Sequence, residues 1–105
     1  MEITGVIKDA TIITVTDLFD DNNNVARFVF GTVVSDRQQR FEEGNWFLSS
    51  RIKNNIGSRI ITKNSVYDLA EAPSFCNLTL DEFRYVQQGH EPLIAKKLAS
   101  VLMPV

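Results

Sequence analysis

The sequence changes period at Thr79. Up to residue 70 its apolar residues alternate with polar ones or run in short β-branched stretches, as strands require. From Thr79 onward they recur at helical spacing. Thr79-Leu80-Asp81-Glu82 marks the switch as a capping box: the threonine hydroxyl accepts from the N3 amide while the glutamate reaches back to the cap residue's own N–H. Leu78 and Phe83 occupy the two positions of a hydrophobic staple, so a helix is expected from Leu80, with Gly89 placed to end it. Pro92 suits the first turn of a second helix, in which Ile94, Ala95, Leu98, Val101 and Leu102 form an apolar stripe and Lys96 and Lys97 lie outside. Strands followed by helices read as an α+β fold, with the helices packed on one face or end of the sheet.

About six mostly antiparallel strands are expected in the body. Residues 2–8 place Ile3, Gly5 and Ile7 on one face, and "ATIITVT" follows as a second strand joined to the first near Asp9. "DLFDDNNN", residues 17–24, is a loop, because its side chains bond their own backbone. "VARFVFGTVV", residues 25–34, is apolar on both faces and predicts a central strand, with Gly31 marking a bulge or bend. "SDRQQRFEEG" then returns the chain to the sheet. In the next stretch Trp46, Leu48, Ser50 and Ile52 share one face, taken as the core face, and Phe47, Ser49, Arg51 and Lys53 the other. "NNIG" predicts a hairpin connection to "SRIITK", which puts Ile60 inside and Arg59, Ile61 and Lys63 outside; "SVYDLA" adds the last strand. Such a meander curls into a small barrel or a strongly bent sheet. At 105 residues the chain reads as one domain, a β-rich body over 1–70 and two short helices over 79–102.

The residue inventory argues against catalysis and cofactors. The single histidine, His90, lies in the link between two helices, with no nucleophile near it in sequence. One Cys and one His fall short of a zinc set, so no metal is expected. Asp20, Asn22 and Asn24 begin like a calcium loop, yet Val25 stands where such a loop needs glycine and Gly31 where it needs glutamate. No phosphate-binding or dinucleotide fingerprint occurs, so no cofactor is expected. The lone Cys76 fits a reducing compartment. The N-terminus lacks a basic leader region and no apolar run is long enough to span a membrane, so a cytoplasmic protein is expected.

Binding is then the expected activity, and two surfaces of opposite sign compete for it. Asp17, Asp20 and Asp21 in one loop and Glu42 and Glu43 in another flank the same long strand, which puts two acidic clusters on one rim of the sheet. An acidic module of this kind can imitate a phosphate backbone and occupy a basic active site. Residues 45–67 carry four positive charges and no negative one in a chain of net charge −2, so everything outside them carries −6. In this alternative Arg51, Lys53, Arg59 and Lys63 face outward around Phe47, as a small barrel binding single-stranded nucleic acid would require. The acidic balance of the rest of the chain opposes it, and cations on a two-stranded ribbon also keep a strand edge from aggregating.

In size, acidity, its single free cysteine and the stretches "FEEGNWFLSSRI" and "RIITKNSVYDL", the chain resembles the small immunity proteins that bacteria pair with nuclease toxins, including those of contact-dependent growth inhibition. The resemblance implies a cytoplasmic non-enzyme that binds one cognate toxin and blocks its active site or substrate path.

Overall fold

The computed structural model describes residues 3–37 and 42–101, together with the backbone of Leu102. Seven strands form one mixed sheet: β1 (Gly5–Phe19), β2 (Val25–Asp36), β3 (Trp46–Leu48), β4 (Asn54–Ile56), β5 (Arg59–Ile61), β6 (Val66–Leu69) and β7 (Ser74–Leu78). Two helices follow, α1 (Leu80–Gln87) and α2 (Pro92–Leu102), so the fold is α+β. The sheet runs β3-β2-β1-β6-β5-β4, with β7 beside β1 off that path. Expectations falling on Glu2, on residues 38–41 of the return to the sheet and on the side chain of Leu102 lie outside the described residues.

β1 organises everything else. One of its edges pairs antiparallel with β2 along its length. The other takes two partners in succession, both parallel: β6 along Gly5–Ile7 and β7 along Thr11–Val15. The change of partner coincides with a bulge. Asp9 adopts φ 52, the β1–β2 register slips between Lys8 and Thr11, and the Asp9 N–H donates to Glu71 Oε1 at 2.5 Å. The two strands expected over residues 2–16 are therefore one bent strand, because an extra residue at Asp9 is absorbed as a bulge rather than as a turn. Gly31 lies against this kink. A methyl group there would come within 2.5 Å of Ile7 Cγ2 and 2.8 Å of the Lys8 carbonyl oxygen, so only glycine admits the bent strand.

The sheet is strongly bent and does not close. Its end strands β3 and β4 are joined through the chain between them: Ser49 N–H donates to Val29 O, Ile52 N–H to Arg27 O, and Lys53 N–H to Ile61 O. The bend encloses a first core that includes Ile7, Ile12, Val29, Phe47, Ile60 and Tyr67, with the Phe47 and Tyr67 rings 4.8 Å apart. Ser49 is buried at its border, its Oγ accepting from Val29 N–H and donating to Ser50 O, so the polar group is satisfied. A second core lies between the opposite face and the helices, built on Ile13, Val15, Phe30, Leu78, Phe83 and Val86, with Phe28 and Phe83 at 4.5 Å. Burying Phe83 contributes about 1.5–3 kcal/mol on area grounds.

The facing of residues 46–49 is the reverse of the expectation, with Phe47 3% and Trp46 48% exposed, whereas Ile52 is buried and Lys53 exposed as expected. Alternation tells which side chains share a face, not which face is enclosed. Here the phenyl ring enters the first core, while the half-exposed indole lies over Phe30 and Gly89. The hairpin also shifts: Asn54 and Asn55 belong to β4, and Gly57, with φ 59, and Ser58 make the turn.

α1 carries both halves of the capping box, with Leu78 and Phe83 buried as the staple requires. Gly89 adopts φ 103 just past the helix end. α2 buries Pro92, Ala95 and Ala99, whereas Leu93, Ile94 and Val101 are exposed. The expected stripe is thus rotated, because α2 rests against α1 through small alanines that permit close approach.

Candidate functional site

The two acidic clusters lie at opposite ends of β2 rather than on one rim. Val25 begins β2 beside the turn holding Asp20, and Val33, near its other end, exchanges main-chain bonds with Gly44 and Asn45, next to Glu42 and Glu43. From Val25 to Val33 is about 26 Å at strand rise.

At the turn end the carboxylates already have partners in the fold. Asp17 Oδ1 accepts the Leu80 N–H at 2.7 Å, tying the end of β1 to the N-terminus of α1. Asp20 Oδ1 accepts from the main-chain N–H groups of Asn24 (2.8 Å) and Asn22 (2.9 Å), which makes the turn Asx-like. The Asn24 N–H bond, followed by that from Asn22 and the charge of Arg51, holds the Asp20 carboxyl below its ordinary value. Arg51 Nη2 lies 3.9 Å from Asp20 Oδ2 and donates to Asn24 O at 3.2 Å, and Arg27 and Lys53 line the same small pocket. Asp21 alone of the three aspartates projects freely. This end is a charge-compensated turn.

The basic ribbon does not form one face. Phe47 is inside the first core, Arg51 turns to the Asp20 loop, and Arg59 Nε donates to Asp68 Oδ1 at 3.1 Å on the neighbouring strand. Lys53 and Lys63 are exposed, but the stacking platform that the nucleic-acid alternative required is absent, because its aromatic ring is buried.

The other end of β2 carries a groove of about 410 Å³ where the helices stop short of covering the sheet. Phe30 forms part of its floor, the β7 residues Phe75 and Cys76 one wall, and Pro92 and Leu93 at the start of α2 the other. Two carboxylates, Asp9 and Glu91, line it, and no Lys or Arg does. Glu71, hydrogen-bonded to the Asp9 N–H, adds a third carboxylate beside it. Trp46 extends the surface: its ring stacks on Phe30 with centroids 6.1 Å apart and packs against Gly89. Phe75 is 73% and Leu93 69% exposed, large apolar side chains in a groove whose only charged lining residues are the two acids. Glu42 and Glu43 lie outside the groove lining, in the turn preceding Trp46, which pairs with Thr32 of the groove wall.

Of the five acids expected to bind a partner, the structure places Glu42 and Glu43 at one end of β2 and Asp17, Asp20 and Asp21 at the other, while the groove itself is lined by Asp9 and Glu91, with Glu71 bonded to Asp9. The sequence signal for the added residues was slight. Asp9 reads as a turn when it is a bulge, and residues 71–77 carried no strand signal although Ser74–Leu78 form β7. His90 is exposed, its ring 6.2 Å from Tyr85, and among the described residues no cluster of His, Cys, Asp or Glu is arranged to hold a metal ion. No described helix is long and apolar enough to cross a membrane. Neither a protein-family model, nor a curated protein, nor a solved structure matches the chain.

Proposed function

We propose that this chain is a non-catalytic protein-binding module, an immunity protein that neutralises a cognate bacterial nuclease toxin in the cytoplasm by covering its active site or substrate path. One observation carries the reading: a groove lined by carboxylates and exposed apolar side chains with no cation among them. A partner that fits must be basic and partly apolar. Nuclease surfaces are basic because they bind phosphate backbones, so a carboxylate rim competes for the same cations. The exposed indole, phenyl and leucine side chains supply the apolar anchors that tight interfaces concentrate at their centre.

The test is binding to the nuclease domain encoded beside this chain, followed by calorimetry and by protection of nuclease substrate. Glu42→Lys, Glu43→Lys and Glu91→Lys are each expected to weaken the complex about tenfold or more and to slow association, with a steep dependence on salt. Asp21→Lys, at the compensated end, is expected to leave affinity unchanged. Loss of binding with Asp21→Lys alone, or no complex with the neighbouring nuclease, overturns the assignment.

A further inference from the structure

β7 has an open edge. Its inner edge pairs with β1 over Ser74–Leu78, and no main-chain bond from Ser74, Phe75, Cys76 or Asn77 reaches any other described strand. Natural sheets usually protect such an edge with lysine, a bulge or a covering element. β7 has no Lys or Arg in Ser74–Leu78, its Phe75 ring is exposed, and the α2 end of the groove begins beside it. The edge therefore offers unpaired N–H and C=O groups at a register fixed by β1, with an apolar side chain at its centre, and its Phe75 shares a groove with the carboxylates of Asp9 and Glu91, Glu71 being bonded to the Asp9 N–H.

We infer that the partner's binding element is an extended, cationic segment that adds as a strand to the outer edge of β7, its main chain bonded to Ser74–Asn77 and its Lys or Arg side chains set against Asp9, Glu71 and Glu91. Main-chain pairing supplies affinity and the acidic rim supplies the choice of sequence. Charge decides the occupant. Pairing β7 with β7 of a second copy would set two copies of the same carboxylates side by side, whereas a basic strand neutralises them. The inference rests on the protein-binding reading for the nature of the partner, but not for the site.

The probe is a short peptide of alternating Lys and Val added to the full chain, read by amide shifts and hydrogen exchange at Ser74–Leu78. Alternate β7 amides are expected to exchange about tenfold more slowly with the peptide bound. A Glu–Val peptide, and a Lys–Val peptide N-methylated along one edge, are expected to give no protection. Phe75→Lys, a surface change that places a charge on the open edge, is expected to abolish protection while leaving the thermal midpoint unchanged. Equal protection by the Glu–Val peptide, protection confined to residues outside β7, or β7 amides already protected in a dimer of the peptide-free protein would overturn the inference. Its failure is separable from that of the toxin reading. A toxin that binds and leaves β7 unprotected removes strand addition alone, and a Lys–Val peptide that protects β7 when no toxin binds removes the toxin alone.

Discussion

The two ends of β2 use carboxylates in opposite ways. At the turn end, Asp17 holds the first amide of α1 and Asp20 closes its own turn beside Arg51, so the negative charge is absorbed by the fold. At the groove end, Asp9 and Glu91 line the groove with exposed Phe75 and Leu93 and no cation in its wall, and among the described residues only Glu71 of the nearby acids is held, by the Asp9 N–H. In sequence the clusters look equivalent, pairs and triplets of acids in polar loops. A carboxylate that the fold uses is costly to remove and cannot turn outward without loss, whereas one that the fold ignores is available to a partner. The difference is therefore measurable in stability as well as in binding.

The largest effect tests how the groove end is built. Its shape depends on the bulge at Asp9, and the bulge depends on a bare backbone at Gly31. Gly31→Ala places a methyl group 2.8 Å from a main-chain oxygen that cannot rotate away, so a cost near the upper end of overpacking, about 3 kcal/mol, is expected. Urea unfolding with an unchanged m-value measures it. A loss below about 1 kcal/mol would mean that the kink relaxes freely and that the groove is not held by it.

A smaller effect sharpens the contrast between the clusters. Thr79→Ala removes one half of the capping box and is expected to destabilise by about 1 kcal/mol. Asp17→Ala removes an acceptor at the same helix end and is expected to cost about 0.5–1 kcal/mol. Glu43→Gln, on an exposed loop at the other end, is expected to stay within about 0.5 kcal/mol of the parent. Thermal unfolding of the three variants ranks them. If Glu43→Gln costs as much as Asp17→Ala, the two ends do not differ in the way described.

How far these roles are legible in sequence depends on whether the deciding interaction is local. The capping box, the staple and the glycine after α1 were legible because each is decided within a few residues, and the α+β class followed from the change of period at Thr79. The parallel pairing of β6 and β7 with β1 was not, since hydrophobic alternation carries no strand direction. Nor was the facing of Trp46 and Phe47, which is decided by a ring from β6, or the rotation of α2, which is decided by α1. The site split for the same reason. Glu42 and Glu43 were visible as acids, but the groove acids Asp9, Glu71 and Glu91 come from three other parts of the chain and meet only through a bulge and a parallel strand.

The smallest effect, and the most specific to the turn end, is the pH dependence of Asp20. Its folded pKa lies below the ordinary 3.8, chiefly because the Asn24 N–H, and then the Asn22 N–H and Arg51, favour the ionised form. A group depressed in this way binds protons more readily in the unfolded chain. Its contribution to stability is therefore complete above the ordinary value and is lost as pH falls from there through the lower folded value. Asp20→Asn keeps an acceptor for the two amides but cannot ionise. The parent is thus expected to be more stable than Asp20→Asn at neutral pH, and the gap is expected to close in acid, below the ordinary carboxylate range. Paired unfolding curves across that range, with carboxyl-carbon NMR to locate the Asp20 midpoint, decide it. A gap that widens toward acid would mean that Asp20 is strained rather than supported in its turn, and the turn-end acids would then be as free for a partner as those at the groove.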